Sequence, residues 1–452
     1  MTDTTPTPTP GPAPAAADPT KLLKSRSYLA LLVLGAVIGV PVATVAYFFL
    51  DAIGKVQNEI FNDLPGQLGF HGEPWWWPLP WVTLSGLLVA LAITYLPGTS
   101  GHEPSEGFQA GGPVAPIDLF GIIVAAFATL SLGVVLGPEA PLIAIGSGLG
   151  VLAVHLVKRD APAMAAVVIG GAGSFAAIAT LLGSPLTGAF LLMEAIGFGG
   201  PTMDIVLMPG LLAAGVGSLI FVGLNDLTGF GNFSLTISHI PHVGAPTGAE
   251  FLWAVGIGLA SAVVATNIFR VARLLRPIVE RRRVLLTPLV GLAVGGLAVA
   301  FAEATGRSSS EVLFSGQSAL PTIVEHAADW TAGALVLLVV CKSLAYAISL
   351  SSFRGGPIFP AMFIGAAGGI ALSHLPGLPM VAGAAIGVGA MTAGALKLPM
   401  TAVLLPSLLF ISDALELMPV VIVGVIVSYV TAVWISPSPA STPAPAAASA
   451  PS

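Results

Sequence analysis

The chain has 452 residues, of which 55% are hydrophobic and only 8% charged, against about 25% charged in an ordinary soluble protein. A mean hydropathy of +0.93 and apolar runs spread from about residue 28 to 435 leave no stretch for a soluble catalytic domain of usual size, so a soluble enzyme on one membrane anchor is excluded. The net charge of −6 is too dispersed to name a partner, and the single cysteine, Cys341, excludes disulfide frameworks and cysteine-built metal or cluster sites.

Residues 1–26, with Thr-Pro-Thr-Pro-Thr-Pro and Ala-Pro-Ala-Ala-Ala, hold too little apolar surface to offset the entropy of ordering and read as a disordered tail. The apolar run after Arg26 continues to Leu50 without a convincing processing site, which favours a retained first span over a signal peptide. Further apolar stretches fall near 78–96, 117–136, 141–157, 162–182, 186–198, 204–223, 249–269, 284–302, 330–350, 358–373, 379–396, 399–412 and 415–435. Residues 437–452 form a second Pro/Ala/Ser-rich tail. Several stretches are shorter than the roughly 20 residues a full crossing needs. Abundant Gly and Pro suit half-helices that end inside the bilayer, which are tolerated only where protein or a water-filled cavity satisfies the freed backbone groups.

Trp75, Trp76, Trp77 and Trp81 read as an interfacial belt. Lys21, Lys24 and Arg26 form one basic cluster, and Arg270, Arg273, Arg276, Arg281, Arg282 and Arg283 a second. The positive-inside tendency puts both on the cytoplasmic face. His155 and His374 read as interfacial or packing residues, and Asp413 and Glu416 as a solvated turn between the last two apolar runs.

An internal repeat organises the rest. Gly137-Pro138-Glu139-Ala140-Pro141 recurs as Gly356-Pro357-Ile358-Phe359-Pro360, and Pro185-Leu186-Thr187 recurs as Pro399-Met400-Thr401. The offsets are 360 − 141 = 219 and 399 − 185 = 214 residues. The chain reads as an all-α polytopic membrane protein of two antiparallel, inverted helical repeats, residues 27–240 and 245–435, whose broken helices meet near the membrane midplane.

A Gly-Pro opening suits a helix start, because Pro is pre-set for the first helical position and has no amide hydrogen to waste there. Two such starts aimed at one point would bring free amides and two positive dipole ends together and attract an anion without a fixed full charge. Glu139 has no basic residue within a turn. A carboxylate at membrane depth is costly and is a functional candidate by default. It is positioned to occupy the anion site itself and to vacate it when protonated, as gate and proton acceptor in one.

These residues resemble signatures of the family of voltage-gated chloride channels and chloride/proton exchangers. Gly137-Pro138-Glu139-Ala140-Pro141 resembles its Gly-x-Glu-x-Pro element, Thr99-Ser100-Gly101 its Gly-Ser-Gly-x-Pro element, and Gly356-Pro357-Ile358-Phe359-Pro360 its Gly-x-Phe-x-Pro element. The resemblance implies a prokaryotic-type homodimer without nucleotide-regulatory domains, in a bacterial plasma membrane, with a pore in each subunit and both tails cytoplasmic. It implies Glu139 as the gate, and Ser100, Gly101, Gly356, Ile358 and Phe359 around a chloride site. Pro138 stands where the family carries Arg, and Pro357 removes one anion-holding amide. Ala195 stands where exchangers carry an inner glutamate after the position of Glu194, and the pore tyrosine has no match. Lys342 matches a lysine the family keeps, and Glu194 and Lys342 are secondary candidates, Glu194 chiefly to tie helices together.

The function expected is transport of chloride and similar small monovalent anions, channel-like or weakly coupled to protons, in a chain that is not an enzyme. Strict chloride/proton antiport and proton-coupled transport of another solute are the rivals. No cofactor, metal, nucleotide or nucleic acid is expected, because the histidines lack metal-ligand spacing and no Walker-type Lys-Ser/Thr follows Gly146-Ser147-Gly148.

Overall fold

The computed structural model describes residues 24–110, 112–197, 201–229, 235–237 and 240–436. The expected tails therefore lie outside the described residues, up to residue 23 and from 437. Helices account for nearly every apolar stretch: α1 Arg26–Asn58, α2 Pro78–Tyr95, α3 Leu119–Ser131, α4 Glu139–Val157, α5 Ala163–Leu182, α6 Pro185–Ile196, α7 Pro201–Thr228 and α8 Gly248–Arg281. There follow α9 Arg283–Thr305, α10 Ala319–Glu325, α11 Ala332–Leu350, α12 Ile358–Leu372, α13 Met380–Leu396, α14 Pro399–Leu409 and α15 Ala414–Ile435. Among the described residues, nine helices are long and apolar enough to cross a membrane. At a rise of 1.5 Å per residue, α6 and α14 reach only about 17–18 Å, too short for a hydrocarbon core of about 30 Å.

Three helix boundaries depart most from the sequence reading. Arg26 belongs to α1, because the Ser25 side chain caps the helix by accepting from the Tyr28 amide at 3.1 Å. That helix also runs past Leu50 to Asn58, and α8 runs on through the arginine cluster to Arg281.

The chain is built from two inverted helical repeats, and their helix crossings recur at the offsets found in the sequence. Gly146 of α4 faces the backbone of Gly173 in α5, and its mate Gly365 in α12 faces Gly387 in α13. Gly150 meets Ile169, and its mate Gly369 meets Gly383. Small residues let backbones approach closely where lipid supplies no hydrophobic drive for helices to associate. The ends match too: α5 stops on Gly183 in the left-handed conformation and α13 on Lys397 in the same conformation, with φ of 63° and 59°. Residues 381–396 of α13 are all buried.

Both described ends emerge on the face that carries the arginines. α1 runs beside α7 in the same direction, with Tyr28 bonded to the Ile205 carbonyl near its start and Tyr47 to Thr228 further along. α2 returns, and the turn after it pairs Glu106 with Arg276 at 2.8 Å. α15 starts beside His242 and Val243, which precede α8, and so ends where α8 ends.

The Trp cluster and Asp413 depart from expectation. Trp75 and Trp76 are exposed, whereas Trp77 is buried because its indole N–H reaches the Ile60 carbonyl at 2.9 Å and its ring packs on Trp76 and Trp81. Asp413 is buried rather than solvated, accepting from the Val243 amide (3.1 Å) and Ser412 (2.7 Å) beside His242 (3.1 Å).

Gly365→Val would drive a side chain into the Gly387 carbonyl, whereas Gly296 meets open space. Gly365→Val is expected to cost about 3 kcal/mol and Gly296→Ala almost nothing. Thermal unfolding in detergent separates them, and equal melting temperatures would remove the close crossing as a source of stability.

Candidate functional site

The two Gly-Pro motifs meet. The Gly137 amide donates to the Gly356 carbonyl at 2.7 Å and the Gly356 amide to the Gly137 carbonyl at 2.5 Å, an isolated antiparallel bridge between the repeats. α4 and α12 begin two residues beyond it. Pro138 and Pro357 stand at the N-cap rather than at the first helical position expected from sequence. An N-cap normally supplies a side-chain acceptor for the first amides. Proline supplies none, and Pro141 and Pro360 have no amide at the third position. Each start is thus left with two outward amides, those of residues 139 and 140 and of 358 and 359. Some helices elsewhere are closed by their own side chains: Ser184 caps α6, Thr331 caps α11, and Thr247 with Glu250 forms a capping box on α8.

Glu139 fills the gap. It opens α4, yet its carboxylate crosses to the other repeat, where Oε1 accepts from the Phe359 amide at 2.8 Å. The Ile358 amide and the Glu139 amide also face it. The side chain is fully buried, and among the described residues no cation pairs with it. Two helix starts, each equivalent to about half a positive charge, take the place of a counter-ion. Gly137 and Gly356 are glycine because a Cβ on either would run into the carboxylate. Oε2 has no hydrogen-bond partner, which leaves an open position for a proton. The arrangement joins Glu139, Gly356, Ile358 and Phe359, with the glutamate on the amides where an anion was expected.

Cavities flank this junction on both sides. One, of about 430 Å³, is lined by Ser100, Gly101, Ala140, Pro141, Arg354 and Gly355, among others. The other, of about 360 Å³, is lined by Gln57, Leu136, Pro138, Ser315 and Gln317, among others. Ser100 lies in a loop where four successive residues, Gly98 to Gly101, have positive φ. For Thr99 and Ser100 this conformation is strained, and such strain persists where surrounding structure over-determines it. The Ser100 hydroxyl is buried without a partner. Ser100 and Gly101 thus face the first cavity, and neither Ile358 nor Phe359 lines either cavity.

The secondary candidates are committed to backbone. Glu194 accepts from the Met400 amide at 2.8 Å and from the Thr401 amide and hydroxyl at 2.7 Å each, closing the start of α14. Lys342 is fully buried and gives its three N–H groups to the carbonyls of Glu311, Val312 and Leu313 at 2.9, 3.1 and 2.9 Å, with the Phe363 ring 4.4 Å away. One turn on, Tyr346 donates to the Pro357 carbonyl at 3.0 Å. Sequence reasoning missed Tyr346 and Arg354; the available signals were the i, i+4 spacing from Lys342 to Tyr346 and the lone cation just before the second motif. Outside the membrane-spanning helices, burial pushes the Glu311 carboxyl up, with Lys342 and Arg307 opposing. Among the described residues no group of three or more His, Cys, Asp or Glu could hold a metal ion.

Residues 86–433 match the family model described as voltage gated chloride channel. The chain is 28% identical over 393 residues to the protein of Escherichia coli strain SE11 named "Putative ion-transport protein YfeO" and 29% identical to its namesake in strain UTI89, covering 85% of this chain and 90% of each relative. Among solved structures it resembles a slow cyanobacterial Cl-/H+ antiporter (TM-score 0.73, 19% identity, 90% of this chain and 95% of that one). It also resembles a CLC-type fluoride/proton antiporter (TM-score 0.69, 21% identity, with the same coverage).

Lys342→Met keeps the apolar stem and removes the three donors, stranding buried carbonyls. It is expected to cost about 3 kcal/mol, read as a lower unfolding temperature in detergent. Unchanged unfolding would show that water serves those carbonyls.

Proposed function

The chain belongs to the voltage-gated chloride channel family, and on that premise we propose that it carries chloride and similar small monovalent anions across the bilayer through the 137/356 junction, with Glu139 as gate and proton acceptor. The observation that carries this reading is the Glu139 carboxylate seated on the Phe359 amide between two cavities. When ionised it competes with any anion for the converging amides. A proton taken up at the unpartnered Oε2 discharges it, weakens its hold and lets an anion take its place. Amide donors without a full positive charge hold that anion loosely enough to release it.

Coupling is read as loose. Ala195 supplies no second carboxylate, and Glu194 beside it is spent on α14. Strict antiport, as the names of the structural neighbours describe for those proteins, is the alternative. The repeats are taken as residues 27–240 and 245–435. The arginine-bearing face is read as cytoplasmic and the membrane as a bacterial plasma membrane. A homodimer with one pathway per subunit completes the reading, and no chemistry is done on the substrate.

Anion flux and pH recorded together in liposomes holding the purified chain test it. Wild-type flux is expected to rise as pH falls, and Glu139→Gln and Glu139→Ala to make flux nearly independent of pH. Unchanged pH dependence in both variants would remove the gate. A fixed, nonzero proton-to-chloride ratio in the wild type would replace loose coupling with antiport.

A further inference from the structure

The two cavities are mates under the repeat. Gly355 corresponds to Leu136 (355 − 219 = 136), and the first cavity reaches Gly355 where the second reaches Leu136. Each also borders a turn with positive φ, at 98–101 in one and at Phe314 and Gly316 in the other. Their charges differ. Among the described residues, no Asp, Glu, Lys, Arg or His lines the second cavity, whose polar side chains come from Gln57, Gln317, Ser315 and Ser318. The first holds Arg354, whose mate is Val135 (354 − 219 = 135).

The Arg354 guanidinium is a built feature. Arg354 is 5% exposed and is held at the edge of hydrogen-bond range by the Thr99 carbonyl (3.3 Å), the Phe353 carbonyl (3.4 Å) and Glu103 (3.4 Å). A guanidinium has five N–H donors. These three long bonds leave two without a partner among the described residues (5 − 3 = 2). Glu103 does not neutralise it alone, since the same carboxylate pairs with Arg276 and, at 3.8 Å, with Arg283. Asp118 and His102 line this cavity too, but both are partly exposed and act through more solvent than a buried cation does.

We propose that Arg354 forms a loading site for small monovalent anions at the arginine-bearing mouth, so that the pathway takes up anions more tightly from that face than from the other. The inference rests on the anion-pathway reading above. It adds that the second repeat carries the selecting charge of the pathway, at one mouth only, where the first repeat has Val135. Glu103 acts on the site through Arg354 by holding part of its donor capacity.

Right-side-out and inside-out membrane vesicles of bacterial cells expressing the full chain test this by giving the half-saturating chloride concentration from each face. Arg354→Gln is expected to raise it about tenfold from the arginine-bearing face and to leave the other face unchanged, and Arg354→Lys to restore most of the loss. Glu103→Gln is expected to lower it on that face, an effect opposite in sign to that of a merely structural contact. Equal shifts from both faces, or none, would overturn the loading site while leaving the Glu139 gate intact. Should Arg354→Gln fail to fold, Glu103→Gln decides alone, and a raised or unchanged value would overturn the proposal. Wild-type vesicles without anion flux would remove the underlying reading and the inference with it.

Discussion

The site depends on one constraint: a buried carboxylate with no cation must find its partners in backbone amides. Glu139 does so by crossing from the first turn of one helix to the first turn of another, onto the Phe359 amide. The local sequence is arranged around that need. Proline at both N-caps keeps side-chain acceptors away from the amides, and glycine at 137 and 356 leaves the carboxylate room. Tyr346 pins the Pro357 carbonyl, and Lys342 fixes the turn at 311–313 beneath it. The outcome is a pair of positive helix ends facing a group that can give up its charge by taking a proton.

Duplication explains how two helix starts reach one point. Inverting a repeat turns one helix that ends inside the membrane into two that begin at a common place, and the reciprocal Gly137–Gly356 bridge joins the copies there. The change of offset from 219 to 214 falls between α4/α12 and α5/α13 and leaves the crossings in register, since Gly146–Gly173 and Gly365–Gly387 pair alike. Even Lys397 keeps the left-handed conformation of its mate Gly183, although a side chain there costs energy that glycine avoids.

The repeats are not equivalent chemically. Glu139 and Glu194 both belong to the first copy, and both sit on helix starts of the second, α12 and α14. Their mates are Ile358 and Leu408 (139 + 219 = 358; 194 + 214 = 408). The carboxylates therefore come from one copy, and the amides of the other receive them. Two carboxylates at one junction would repel each other in a medium that screens them little. Arg354 reverses the pattern, placing a cation in the second copy with no counterpart in the first.

The sequence by itself determined the membrane class, most helix boundaries to within a few residues, the repeat and the place of Glu139 at one of its helix starts, because composition, apolar length and duplicated motifs are local properties of the chain. It misjudged features that depend on neighbours distant in sequence. Trp77 and Asp413 were read from their own segments, yet they are buried by Ile60 and Val243. The roles of Tyr346 and Arg354 had no local mark beyond spacing. Only the tertiary structure decided which amide Glu139 takes, which carbonyls hold Lys342 and which cavity carries a charge. Hydrogen bonds and ion pairs act over a few ångströms in space, and here they join residues that can lie more than two hundred positions apart along the chain.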